Sequence, residues 1–195
     1  MLLKSTYCLF SILFMLTVGA HAQSSENSVI YDGKGVDSLK MGTLTSLDVK
    51  QMLGNDFIAT NHSDYSIELF YPKLGMAFYR KYGPDTGKIF CMSFRKDYLG
   101  KTSRGFKMSS MTVQDILRLY GKANWTYLER DSAVYASYEE AGIYFAIKPR
   151  GIPPAKFNAE KPDAALVKAR NDYFMNLYYN DQVEEITIGV PGTDF

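Results

Sequence analysis

The chain has 195 residues, with 22 Lys and Arg against 21 Asp and Glu, and 46% of its residues are hydrophobic. That length builds one or two small domains with a real core. The near-neutral balance, without long blocks of like charge, argues against a nucleic-acid partner held by bulk charge.

The N-terminus reads as an export signal, residues 1–22. Lys4 supplies the positive start, Leu9–Val18 the apolar run, and Ala20-His21-Ala22 a small-x-small cleavage site that leaves Gln23 first in the mature chain. The run is short for spanning a bilayer. The expected product is an exported protein, periplasmic or fully secreted, with no transmembrane anchor. Cleavage removes Cys8, His21 and one lysine, so Cys91 and His62 stand alone in their types and 21 bases face 21 acids. No intrachain disulfide is then possible. A lone thiol in an oxidising compartment is expected to be buried. One His and one Cys cannot make an ordinary zinc site without carboxylate help, so neither metal nor cofactor is expected.

Residues 40–81 and 107–148 are two copies of one pattern at a constant shift of 67, without a gap. Lys40/Lys107, Met41/Met108, Thr45/Thr112, Asp48/Asp115, Gly54/Gly121, Asp64/Asp131, Tyr71/Tyr138, Gly75/Gly142, Phe78/Phe145 and Lys81/Lys148 are identical. The repeat predicts an α+β fold of two tandem units, residues 23–95 and 96–195, each a short helix on an antiparallel sheet of three or four strands.

Each copy opens with T-x-x-D, in which the threonine hydroxyl accepts from the N–H three residues on and the aspartate reaches back to the cap. The aspartate also sits at the positive end of the helix dipole. Leu44 on Val49 and Met111 on Ile116 form hydrophobic staples, and Gly54 and Gly121 end the helices. Val49, Met52 and Leu53 make the apolar stripe of the first helix; Ile116, Leu119 and Tyr120 make that of the second. Helices of about nine residues do not persist in water alone and need a sheet to lie on.

The sheets follow at once. Tyr65–Tyr71 and Ser132–Tyr138 alternate in polarity, and short connections lead to strands over Gly75–Lys81 and Gly142–Lys148. Lys88–Phe94 closes the first unit after the turn Gly83-Pro84-Asp85-Thr86-Gly87, and Val183–Ile188 closes the second. Phe57–Thr60 and Trp125–Leu128 are candidate edge strands. The second copy carries an insertion, residues 149–182, where the first has a tight turn. Pro162-Asp163 starts a predicted helix running to Tyr179. Leu166, Ala169, Tyr173 and Leu177 share one face, and Phe174, Met175, Tyr178 and Tyr179 widen the apolar surface beyond what one face needs; Tyr173, Phe174 and Tyr178 are its candidate partner contacts. The helix either covers the sheet or offers these rings to a partner.

A strand ending in Lys-Met, then T-x-x-D, a short apolar helix, Gly, hairpin strands and V-x-x-I-x-I resembles the tandem unit of beta-lactamase inhibitor proteins. It is also similar to the small outer-membrane lipoprotein of the barrel-assembly machinery. The likeness covers residues 39–94 and 106–188 and implies two units side by side, their joined sheets exposing a face opposite the helices. Fold alone carries no activity over. The inhibitors' disulfides have no counterpart here, nor does the lipoprotein's acylated cysteine, whose place Gln23 takes.

Strand alternation then defines a candidate site. With Ile67, Leu69, Tyr71, Met76 and Phe78 of unit one and Val134, Ala136, Tyr138, Ile143, Phe145 and Ile147 of unit two turned to the helices, Glu68, Phe70 and Tyr79 point the other way in unit one, as do Tyr135 and Tyr144 in unit two, with Cys91 and Glu185 on the same side. Large rings fixed on a sheet are effective interface anchors. A thiol nucleophile would require Cys91 beside His62, which reads as a loop residue. Glu139-Glu140 and Glu184-Glu185 are adjacent in sequence and so suit neither glycoside hydrolysis nor metal binding. No P-loop, G-x-S-x-G, H-E-x-x-H or EF-hand pattern occurs. The expectation is a non-enzymatic module that binds a protein or cell-envelope component through the sheet face and inserted helix, with inhibition of a periplasmic enzyme as a subclass. The alternatives are a small-ligand carrier, with the helix capping an aromatic pocket against the sheet, and an enzyme with an unrecognised site.

Overall fold

The computed structural model describes residues 26–62, 66–84, 86–129, 132–158 and 162–191. The signal segment, the Asp64/Asp131 pair, Tyr65 and Asp85 lie outside the described residues. The chain is an α+β protein. In order, it forms β1 (Val29–Tyr31), β2 (Gly35–Val36), β3 (Leu39–Lys40), α1 (Ser46–Leu53), β4 (Ile58–His62), β5 (Ser66–Tyr71), β6 (Met76–Lys81) and β7 (Ile89–Arg95). There follow β8 (Lys101–Thr102), α2 (Val113–Tyr120), β9 (Asn124–Leu128), β10 (Ala133–Tyr138), β11 (Ile143–Ile147), α3 (Ala164–Tyr178) and β12 (Val183–Gly189).

The duplication is visible as matched chemistry. Thr45 and Thr112 both cap their helices, each accepting from the aspartate N–H three residues on while that aspartate accepts from the cap N–H. Hydrogen bonds from Thr45 hold the Asp48 carboxyl below the usual carboxylate range. Tyr71 Oη donates to the Gly54 carbonyl at 3.0 Å, and Tyr138 Oη to the Gly121 carbonyl at 2.8 Å. Burial pushes the Tyr71 phenol up to about 12. Gly75 and Gly142 have φ of +64° and +62°, and a Cβ would lie 2.6 Å from the Tyr98 nitrogen in one case and 2.5 Å from the Gly189 oxygen in the other. Only glycine meets both demands without strain. Removing either cap, Thr45→Ala or Thr112→Ala, is expected to cost about 1 kcal/mol. Urea unfolding should give similar losses for both, because the two caps make the same bonds.

Two details depart from the sequence reading. Ile58 pairs with Phe70 and Asn124 with Ser137, so the edge strands match at a shift of 66, not 67. The connection after α2 is one residue shorter, and the following hairpin restores the register. Met52 is 42% exposed; the buried stripe of α1 runs instead through Ser46 and Val49, with Leu53 packed beside it. These positions are spaced for one helix face.

Both units share one eight-stranded antiparallel sheet, ordered β4-β5-β6-β7-β12-β11-β10-β9. The junction β7·β12 pairs Arg95 with Glu185, Ser93 with Thr187 and Cys91 with Gly189. A smaller sheet, β3-β2-β1-β8, ties the start of the chain to the linker between units through a parallel β1·β8 pair. Its Ile30, Val36 and Leu39 join the same core as Val49, Ile116, Phe78, Phe145 and Ile186.

The inserted helix α3 contributes to that core. Trp125 faces the helices, stacks on Phe174 at 6.1 Å, and donates its backbone N–H to Asn171 Oδ1 at 3.0 Å. Phe174 in turn meets Tyr178 and Phe157. Phe174 and Tyr178 are fully buried, so neither is a partner contact as the sequence reading had allowed. Aromatic surplus on α3 is explained by Trp125, whose large ring needs cover at the end of the sheet. Tyr173, set on the helix's apolar face by the sequence pattern, is 37% exposed, and the buried face runs through Asn171, Phe174 and Tyr178 instead.

A candidate interaction face

With α1, α2 and α3 packing their core side chains on one side, the alternation of the strands sends a second set of side chains to the other. Glu68 pairs across from Tyr79, Phe70 from Ala77, Tyr135 from Ala146 and Ser137 from Tyr144. All six candidate residues of the sheet, Glu68, Phe70, Tyr79, Tyr135, Tyr144 and Glu185, therefore share one face. The four rings are partly buried. Small residues beneath and beside them (Ala77, Ala146, Ser93) leave room for rings to lie down, which fixes them at little rotamer cost.

The centre of this face is polar and tightly connected. The Glu68 side chain is 6% exposed; it accepts from Arg95 Nη2 at 2.6 Å and from Tyr79 Oη at 3.3 Å, and meets His62 Nε2 at 2.8 Å. Arg95 Nε also reaches Glu185 at 3.4 Å, and its guanidinium lies over the Phe70 ring at 4.0 Å. Thr187 Oγ1 donates to Glu185 at 3.2 Å and lies 2.9 Å from Ser93 Oγ. One arginine thus joins a carboxylate from each unit across the β7·β12 junction. A carboxylate this deep tolerates burial only because cation and phenol saturate it.

The titration shifts follow from this arrangement. Burial first, then Glu185, Glu68 and Cys91, push the Tyr79 phenol well up. Burial works against the Arg95 charge, but Glu68 and then Glu185 outweigh it and raise its pKa. Burial, then Glu185, pushes the Cys91 thiol up, so it is a poor nucleophile. His62 and Cys91 stand on β4 and β7, three strand positions apart, or about 14 Å. The two side chains do not form a thiol–imidazole pair. Among the described residues, no group of three or more His, Cys, Asp and Glu is placed to hold a metal ion.

Where the face meets the loop end of unit two, a groove of about 410 Å³ opens beside Arg95, Tyr135, Ala146, Lys148 and Glu185. The space between α3 and the sheet, where a carrier would hold its ligand, is filled by Trp125, Phe157, Phe174 and Tyr178.

His62 and Arg95 were missed from the sequence as site residues. Their strands each run further than the sequence reading placed them, β4 through His62 and β7 through Arg95. Continuing the alternation Cys91, Ser93, Arg95 by one step would have found the arginine. His62 carried no such signal, because the polar run Asn61-His62 reads as a turn until paired with β5.

Fold and site together define a class: an α+β protein whose helices back one side of a continuous sheet and whose other side presents fixed rings around an ion-paired centre. No family model matches the chain, and the search of curated proteins returned no match. Among solved structures, the chain is similar to a DUF4309 family protein (YjgB) from Bacillus subtilis, at 12% sequence identity and a TM-score of 0.48, over 82% of this chain and 89% of that one.

Proposed function

We propose that the protein is an exported, non-enzymatic interaction module that binds a protein or another cell-envelope component through the open face of its large sheet. The observation that carries this reading is the set Phe70, Tyr79, Tyr135 and Tyr144, partly exposed on one face around the Glu68–Arg95–Glu185 network. Rings held in place by neighbours and a rigid ion-paired centre suit recognition, since little entropy is lost on binding. The inserted helix takes a smaller part than its composition suggests, limited to Tyr173 and the C-capping Tyr179, both at the surface. Export is supported by Lys4, the apolar run and Ala20-His21-Ala22. Among the described residues, no helix is long and apolar enough to cross a membrane. The resemblance to inhibitor proteins makes a periplasmic enzyme one kind of partner to seek.

Pull-down from an envelope extract with the wild type and with Tyr135→Ala/Tyr144→Ala tests the reading. Loss of two aromatic anchors should weaken partner recovery by roughly tenfold or more. Equal recovery by both proteins removes the sheet face as the binding surface.

A further inference from the structure

The two ends of the large sheet differ in a way the repeat does not anticipate. At one end, α3 covers β9: Asn171 accepts from the Trp125 N–H, and Arg170 reaches Asn124 at 3.4 Å. At the other end, among the described residues, β4 pairs with β5 alone. All five of its residues, Ile58 to His62, are exposed, and none is Lys, Arg, Asp, Glu or Pro. Natural edge strands are usually guarded by such residues. Ala59 is the counterpart of Trp125, since both face the helices opposite Leu69 and its equivalent Ala136. Trp125 turns its N–H outward, and by the same register Ala59 and Asn61 turn theirs outward from β4.

We propose that β4 is a self-pairing edge, through which two copies of this chain join antiparallel about a two-fold axis at Thr60. The strand is self-complementary about that residue. Ala59 and Asn61 of one copy exchange N–H and C=O bonds with Asn61 and Ala59 of the other. Thr60 meets Thr60, and the exposed apolar Ile58 lies beside His62 of the second copy, so no like charges oppose one another. The chain already contains a junction of this kind. In β7·β12 two unit edges pair antiparallel, and the middle of the register carries the hydroxyl pair Ser93–Thr187 on the open face. Thr60 repeats that device at the middle of β4, on the same face. The result is one sheet running through both copies with their open faces continuous. An isologous contact of this kind closes at two copies. It buries little area, so the dimer is weak and concentration-dependent.

The test is sedimentation equilibrium of the exported chain from about 5 to 500 μM, a range chosen for a weak interface. Reversible dimerisation is expected for the wild type. Thr60→Lys, which sets two ammonium groups at the axis of an exposed strand, should weaken association at least tenfold. Thr60→Cys should form a disulfide-linked dimer under mild oxidation, because non-hydrogen-bonded antiparallel partners bring their Cα atoms within disulfide range. Thr126→Cys, the same repeat position beside the covered edge, should not. Cys91 is buried and does not compete. A wild type that stays monomeric throughout, a Thr60→Lys variant that associates as well as wild type, or cross-linking no faster at residue 60 than at residue 126 would each overturn the proposal. Thr60→Lys leaves the anchor rings in place, so failure here is separable from failure of the open-face reading.

Discussion

Phe174→Ala is expected to destabilise the fold by about 3–5 kcal/mol, the usual cost of truncating a fully buried aromatic ring. Phe174 sits at the centre of an aromatic set, with Trp125, Phe157, Tyr173 and Tyr178 all within about 6 Å of its centroid. Removing it leaves a cavity that Trp125 on one side and Tyr178 on the other cannot both collapse into, since each is tied down. Asn171 holds the Trp125 backbone, and Tyr178 Oη accepts from the Arg150 N–H at 2.9 Å. The single tryptophan of the chain is therefore the natural probe, and urea unfolding followed by its fluorescence gives the number directly. Tyr173→Ala, partly at the surface, should cost under about 1.5 kcal/mol. If Phe174→Ala unfolds like wild type while partner recovery falls, the helix would be a recognition element and the core assignment wrong.

Arg95→Ala is expected to cost about 2–3 kcal/mol and to weaken partner binding at the same time. The side chain is 38% exposed, so its own pairing energy is discounted for solvent. Most of the loss comes from Glu68, left at 6% exposure without its cation. Loss of the contact with Phe70 adds a smaller amount, about 0.5–1 kcal/mol, and frees a ring of the proposed binding surface. The double variant Arg95→Met/Glu68→Gln removes the charge from the most buried position, leaving only the less buried Glu185 without its cation, and should recover most of the stability without recovering binding. A double-mutant cycle measured by urea unfolding checks this, with an expected coupling above about 1 kcal/mol for groups in direct contact. Additive single effects would mean that the two side chains do not depend on each other.

These two expectations concern the places where sequence and structure part company. The rings Phe70, Tyr79, Tyr135 and Tyr144 were legible as one face because strand periodicity is local: each side chain's direction follows from its neighbours two positions away. The caps at Thr45 and Thr112 were legible for the same reason, their partners lying three residues on. Arg95 and His62 were not, because a strand's last residue is decided by whether a neighbouring strand continues to pair with it. The network they complete draws on β4, β5, β6, β7 and β12, which no local pattern assembles.

By itself, the amino-acid order determined a duplicated unit, two capped helices, their stop glycines and the inward and outward sides of the strands. Each of these rests on interactions between residues a few positions apart. Tertiary structure alone decided the side of the sheet on which α3 lies, and with it that Phe174 and Tyr178 are core, that β9 is covered and that, among the described residues, β4 has one strand partner. An amphipathic helix with rings on more than one face fits either side of a sheet equally well by its own pattern. The choice was made by Trp125, a large apolar ring at the sheet's end that the repeat replaces with Ala59 in the other unit.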